Sequence, residues 1–104
     1  MTSGKVTSAE GNPEIAARFD ELVSAFVRLR DPDVVAAFLR DLCTTNELDA
    51  MGQRLLVARL VNDGLSYQEI SRRTGASTAT VTRVAQWLHH GEGGYPAVLK
   101  RSRQ

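Results

Sequence analysis

Apolar residues recur at helical spacing in three successive segments between residues 12 and 63, and each segment begins directly after a helix-start signal. The three signals are an N-cap with a following proline at Asn12-Pro13 and at Asp31-Pro32, and the capping-box pair Thr44 and Glu47. The spacing therefore predicts three amphipathic helices. Their apolar positions are Ile15, Phe19, Leu22, Val23, Phe26 and Val27; then Val34, Val35, Phe38, Leu39 and Leu42; then Leu48, Met51, Leu55, Leu56, Ala58, Leu60 and Val61.

Helix-start and helix-stop signals become denser after Gly64. Ser66 and Glu69 are spaced as a second capping box and start a short helix. Gly75 interrupts it about two turns later, and Ser77 is placed as the N-cap of another helix that continues to Leu88. Two helices joined by a short turn with a glycine form a helix-turn-helix. The residues expected to supply its internal apolar contacts are Ile70, Val81, Val84 and Leu88.

The fold class predicted for the whole chain is all-α, because no segment alternates apolar and polar residues with a period of two. Residues 1–11 are small and polar and predict a mobile N-terminal arm. Residues 12–104 are expected to form a single helical domain. Its parts are dimerisation helices over 12–63, the helix-turn-helix over 64–90 and a C-terminal helix over 95–104.

The first two helices are unusually apolar for a chain of 104 residues. Phe19, Phe26 and Phe38, with the aliphatic residues around them, offer more apolar surface than a thin monomer easily buries. An intertwined homodimer with interlocked N-terminal helices would cover these faces. A compact monomer with a well-filled core is the alternative.

The second helix of the helix-turn-helix begins with short hydroxyl and methyl side chains, which suit the edges of bases in double-stranded DNA. Arginines on or near the same face suit phosphates, which position a protein on DNA without reading its sequence. A hairpin that only closes a core is the alternative, but it gives no reason for such a face. The predicted DNA-binding residues are Gln68, Arg72, Arg73, Ser77, Thr78, Ala79, Thr80, Thr82 and Arg83.

Charge divides unevenly between the two halves of a chain whose net charge is only +1. Residues 1–50 carry five Lys/Arg and nine Asp/Glu, a balance of −4, whereas residues 51–104 carry eight and three, a balance of +5. A basic half is expected where one region of a protein meets a polyanion, although chance segregation in a small protein would give the same pattern.

Other classes of function have little support in the sequence. The single cysteine, Cys43, excludes an internal disulfide and a metal site built on cysteine pairs, and a reducing cytoplasm is the expected location. The adjacent His89 and His90 point about 100° apart on a helix, so they do not chelate one metal together. We find no nucleophile–base pair or carboxylate pair, so no enzyme activity and no cofactor is expected. No apolar run is long enough for a membrane span.

Residues 43–88 resemble the tryptophan repressor family, and more closely its TrpR-like YerC/YecD branch. The most specific matches are "GQR" at 52–54 and "ATVTR" at 79–83. The resemblance implies an intertwined, all-helical homodimer that binds a pseudo-palindromic operator, with one recognition helix in each half-site.

The resemblance also implies an effector pocket. In the family one arginine faces the carboxylate of the co-repressor and another stacks on its ring, and the matching positions here are Arg54 and Arg83. Tryptophan-binding members have a glycine and a serine where this chain has Val84 and Trp87. The added volume would fill much of a small pocket, so L-tryptophan is not the expected effector. Trp87 either occupies that pocket itself or is a core or interface residue.

The sequence therefore predicts a sequence-specific DNA-binding transcriptional regulator, acting as a repressor and a homodimer without a response to L-tryptophan. Two alternatives stay open. One is a regulator whose effector is another small carboxylate or amino acid, bound by Arg54 and Arg83. The other is a module on the same fold that binds a protein, which would require an apolar recognition helix.

Overall fold

The computed structural model describes residues 11–102, with side chains up to Lys100. Residues 1–10 of the predicted arm and residues 103–104 lie outside the described residues. Six helices and no strand occupy the described range, which confirms the all-α prediction. They are α1 (Pro13–Val27), α2 (Pro32–Leu42), α3 (Thr45–Asn62), α4 (Tyr67–Thr74), α5 (Thr78–His90) and α6 (Gly94–Ser102).

The first three helices begin where the cap signals predict. Asn12 Oδ1 accepts hydrogen bonds from the backbone N–H groups of Glu14 at 3.0 Å and Ile15 at 3.2 Å. Asp31 caps α2 in the same way. At α3 the capping box is complete. Thr44 Oγ1 accepts from the Glu47 N–H at 3.1 Å, and Glu47 Oε1 accepts from the Thr44 N–H at 2.7 Å.

Helix α3 ends in a Schellman motif at Gly64. Its φ of 91° is in the left-handed region that a residue without a Cβ adopts at low cost. The Leu65 N–H donates to the Leu60 carbonyl at 3.2 Å and the Gly64 N–H donates to the Val61 carbonyl at 3.0 Å. These bonds satisfy carbonyls at the end of α3 and direct the chain toward α4.

The chain divides into two units, residues 1–48 and residues 49–104. In the first unit the Phe26 and Phe38 rings meet edge to face, with centroids 5.2 Å apart. No residue of α1 or α2 is buried. The large apolar side chains that remain exposed there are Ile15, Phe19, Leu22, Val23, Val27, Val34 and Leu42.

The second unit has a closed core of aliphatic side chains. It joins Val57 and Ala58 of α3 to residues of every later helix and of the turn after α4. The remaining buried members are Ile70, Ala76, Val81, Val84, Leu88 and Leu99. Among the described residues, no helix combines the length and apolarity that crossing a bilayer requires.

Candidate nucleic-acid interface

The turn between α4 and α5 is fixed by its own side chains. Gly75 has a φ of 78°, and its N–H donates to the Ser71 carbonyl at 3.0 Å. Ser71 Oγ donates to the Ala76 carbonyl at 2.6 Å. Thr74 Oγ1 donates to the Ile70 carbonyl at 2.8 Å and accepts from the Ala76 N–H at 3.1 Å. The glycine predicted to reverse the chain therefore does so, and neighbouring hydroxyls satisfy the backbone around it.

A residue that sequence reasoning missed connects this turn to α3. Gln53 Nε2 donates to the carbonyl of Thr74 at 3.2 Å, across 21 positions of sequence. Gln53 is the middle residue of the "GQR" motif, so the motif itself was the available signal. The bond places the C-terminal end of α4 against α3, in addition to the apolar core.

The inward side of the helix-turn-helix is apolar, as predicted. Ile70 and Val81 are fully buried, and Val84 and Leu88 are 3% and 6% exposed. Because α5 is held on this side by close-packed aliphatic residues, its opposite side is presented to solvent in a fixed orientation.

The outward side of α5 carries the short side chains predicted to meet bases. Thr78, Ala79 and Thr82 are exposed, as are Arg83 and the N-cap Ser77. Helix α5 thus presents hydroxyls and methyls along its first two turns, with one arginine beside them.

Thr80 differs from its neighbours because it is half-buried and its hydroxyl already has a partner. Ser77 Oγ accepts from the Thr80 N–H at 3.1 Å and lies 3.1 Å from Thr80 Oγ1, to which it donates. In this arrangement Thr80 Oγ1 serves as an acceptor within the helix, and its own hydrogen is not used in that contact.

The arginines of α4 are held by Glu69. Glu69 Oε1 accepts from Arg72 Nε at 3.1 Å, and Oε2 accepts from Arg72 Nη2 at 2.5 Å and from Arg73 Nε at 2.6 Å. The side-chain hydrogen bonds from Arg72 and then Arg73 lower the pKa of Glu69 to about 2, so this carboxylate is ionised at neutral pH. The pKa of Arg72 is raised by the same contact.

This arrangement corrects the prediction of a second full capping box. The Glu69 N–H does donate to Ser66 Oγ at 3.2 Å, so Ser66 is the N-cap of α4. The Glu69 side chain, however, binds the arginines one turn ahead of it. Two charged donors outcompete one neutral backbone N–H for a carboxylate.

The residues expected around an effector pocket have different environments. Arg54 on α3 and Arg83 on α5 are exposed, while Val84 belongs to the buried core. Trp87 is half-buried. A Cβ added at Gly91 would lie 3.3 Å from the Trp87 ring and 2.4 Å from its carbonyl oxygen, so the chain passes closely by this tryptophan at the end of α5.

Two remaining predictions concern exposed polar residues. Gln68 lies exposed in the first turn of α4. His89 and His90 are exposed in the last turn of α5, with ring centroids 6.3 Å apart. Across residues 11–102 no group of three or more His, Cys, Asp or Glu side chains is arranged to hold a metal ion.

Helices α4 and α5 with the Gly75 turn define a helix-turn-helix domain, the class of fold in which the second helix reads the major groove of DNA. The chain belongs to the Trp repressor family, since the model of that family, "Trp repressor protein", matches residues 17–103. Members of this family are regulators rather than enzymes.

Similar proteins come from several bacteria. The chain is 40% identical over 85 residues to the uncharacterized protein YerC of Bacillus subtilis, which covers 82% of each chain. A candidate Trp repressor from Staphylococcus aureus has a structure with a TM-score of 0.77 at 39% identity, covering 84% of this chain and 87% of that one. A TrpR-like protein from Eubacterium eligens gives a TM-score of 0.78 at 32% identity, covering 98% and 97%.

Proposed function

We propose that the protein is a sequence-specific DNA-binding transcriptional regulator, in which α5 enters the major groove and the arginines of α4 and α5 contact phosphates. The observation that carries the proposal is the contrast between the buried apolar side of α5 and its exposed side of short polar and methyl groups. Aliphatic residues fix one side in the core, while Thr78, Ala79 and Thr82 face solvent beside Arg83. Short hydroxyl and methyl groups on a rigidly held helix match base edges in shape and hydrogen bonding.

The test is a selection of bound sequences from a random pool of duplex DNA, followed by affinity measurements on the selected site at several salt concentrations. A regulator of this kind enriches a defined sequence, and its affinity falls with salt as phosphate contacts are screened. Ala79→Glu should abolish binding by placing a carboxylate on the exposed face of α5. Glu92→Ala, outside the helix-turn-helix, is the matched control. Recovery of no enriched sequence, with the fold intact, contradicts the proposal.

We further propose that the active form is a homodimer that binds a pseudo-palindromic operator as a repressor. The support is the uncovered apolar face of α1 and α2, where Phe19 is 44% exposed and Val27 72% exposed in the single chain. A second copy would remove this surface from water, and two recognition helices related by a two-fold axis require a site with matching symmetry. Sedimentation equilibrium measures the assembly directly, and a selected site without inverted symmetry contradicts the operator part.

The regulator proposed here does not respond to L-tryptophan. Val84, the residue directly after Arg83, is packed in the core of the helix-turn-helix. Its side chain therefore fills space on the inner side of α5. Thermal unfolding in the presence of L-tryptophan should show no saturable shift, because only a ligand that binds the folded state stabilises it. The same measurement across amino acids and small carboxylates tests the alternative effector, which Arg54 and Arg83 would bind as exposed cations. A saturable shift lost in Arg54→Ala would favour that alternative.

A further inference from the structure

The helix-turn-helix contains one carboxylate, and that carboxylate is bound to two of its three arginines. Between residues 67 and 90 there is one acidic residue, Glu69, and there are three arginines, Arg72, Arg73 and Arg83. Glu69 forms ion pairs of 2.5 Å with Arg72 and of 2.6 Å with Arg73. A negative side chain on a surface proposed to bind a polyanion is unfavourable for affinity unless it has another role.

Stability of the fold is a poor explanation for this contact. The side chains of Arg72 and Arg73 are 70% and 54% exposed, and that of Glu69 is 33% exposed. Ion pairs with this much solvent contribute little to stability. A carboxylate at this position also had a local alternative, the backbone N–H of Ser66, which it does not take.

The geometry instead joins the three side chains into one group. Arg72 donates to the carboxylate through Nε and Nη2, while Arg73 donates through Nε. Two guanidinium charges and one carboxylate charge sum to +1. The group is thus fixed in direction and carries half the charge of two separate arginines.

We propose that Glu69 is a positioning residue of the DNA interface. It holds Arg72 and Arg73 in one ion-paired group and lowers the charge of that group, which limits non-specific binding to DNA phosphates. This inference rests on the proposed DNA-binding function. Non-specific binding depends on the number of phosphate charges neutralised, whereas specific binding also depends on correctly oriented contacts. Two arginines whose joint charge with Glu69 is +1 weaken non-specific binding, and their fixed orientation preserves specific binding.

The test compares Glu69→Gln with wild type by fluorescence anisotropy on the selected site and on a scrambled duplex, from 50 to 200 mM salt. Loss of the carboxylate leaves one more positive charge available to phosphates. The salt slope, which is the slope of log affinity against log salt concentration, should then be steeper on scrambled DNA by about 0.9. This corresponds to roughly a 3.5-fold larger loss of affinity over that range. The ratio of specific to non-specific affinity should fall. Glu47→Gln removes an equal charge from the same position in the first turn of α3, and its slope should match wild type.

A second set of variants separates action through the arginines from direct repulsion of DNA. In the Arg72→Ala/Arg73→Ala background, adding Glu69→Gln should leave the salt slope and the affinity unchanged, since the carboxylate then has no arginine to hold. An effect that persists in this background overturns the proposal, and so does a Glu69→Gln slope equal to that of Glu47→Gln. Failure of the proposed function is a different result, because wild type itself would then show no salt-dependent binding to either duplex.

Discussion

The two units of the chain use amphipathic helices in opposite ways. In residues 49–104, α3 to α6 close a core in which Val57, Ile70 and Val81 have no exposed surface. In residues 1–48, α1 and α2 have equally regular apolar stripes, yet no residue of either helix is buried. A helical pattern therefore determines that a helix forms and which face is apolar, but it does not determine whether that face is covered within the chain or by a second molecule.

The largest expected effect comes from truncating an isoleucine to alanine in each of the two units. Ile70→Ala removes a fully buried side chain and should lower the free energy of unfolding by about 2–5 kcal/mol, independently of protein concentration. Ile15→Ala removes the same atoms from a side chain that is 42% exposed. In the proposed homodimer its cost should depend on protein concentration, since the lost contacts would be with another copy. Urea titrations at two protein concentrations check both, and equal, concentration-independent costs would erase the contrast between the units.

The next effect tests whether the second unit depends on its caps. Ser77→Ala removes the acceptor for the Thr80 N–H and should destabilise the fold by about 0.5–2 kcal/mol. Ser77→Thr keeps an acceptor and is the matched control. We expect DNA affinity to fall in Ser77→Ala beyond the loss of stability, because the Thr80 hydroxyl loses its partner. Chemical denaturation and anisotropy on the selected site measure the two parts, and a cost equal to that of Ser77→Thr contradicts the capping role.

A smaller effect is expected at the link between α3 and the turn. Gln53→Ala should cost about 0.5–1.5 kcal/mol, the usual contribution of one hydrogen bond, here from Gln53 to the Thr74 carbonyl. Amide hydrogen exchange should quicken in α4 and leave α1 unchanged. Gln68→Ala, at an exposed glutamine of α4, is the control. Unchanged exchange in α4 would mean that the apolar core alone holds the turn.

The smallest effect concerns acid. Arg72 and Arg73 lower the pKa of Glu69 in the folded chain to about 2, from an ordinary value of 4.5. A depressed folded-state pKa stabilises the fold above about pH 4.5, and this contribution is lost as pH falls toward 2. Between pH 5 and pH 2 the midpoint temperature of unfolding should therefore fall slightly less for Glu69→Gln than for wild type. The difference should shrink in high salt because the ion pair is exposed. A steeper acid dependence in the variant would contradict the ion pairing.

Much of the fold was predictable because its determinants are local. Asn12, Asp31 and Ser77 act on backbone groups two or three positions away, and Gly75 takes the left-handed conformation that the turn requires. The buried side of α4 and α5 follows from spacing alone. Such signals are read from short windows of sequence.

Features that depend on competition between partners were not predictable. Glu69 had one partner three positions behind it and two ahead, and only the relative strength of charged donors decides between them. Gln53 bonds to a carbonyl 21 residues away, which no local pattern indicates. The half-buried state of Thr80 was likewise missed, because the hydroxyl residues Ser77, Thr78, Thr80 and Thr82 looked equivalent in sequence.

The capping box of α3 has a consequence for dissecting the molecule. The division between the units falls after Leu48, but the first turn of α3 and its cap lie before that division, at Thr44 and Glu47. A fragment cut at Asp49 would leave four backbone N–H groups without their partners and would fray from its first residue. A fragment that keeps this capping box must therefore retain Thr44 as an internal residue, so it has to begin before the division between the two units.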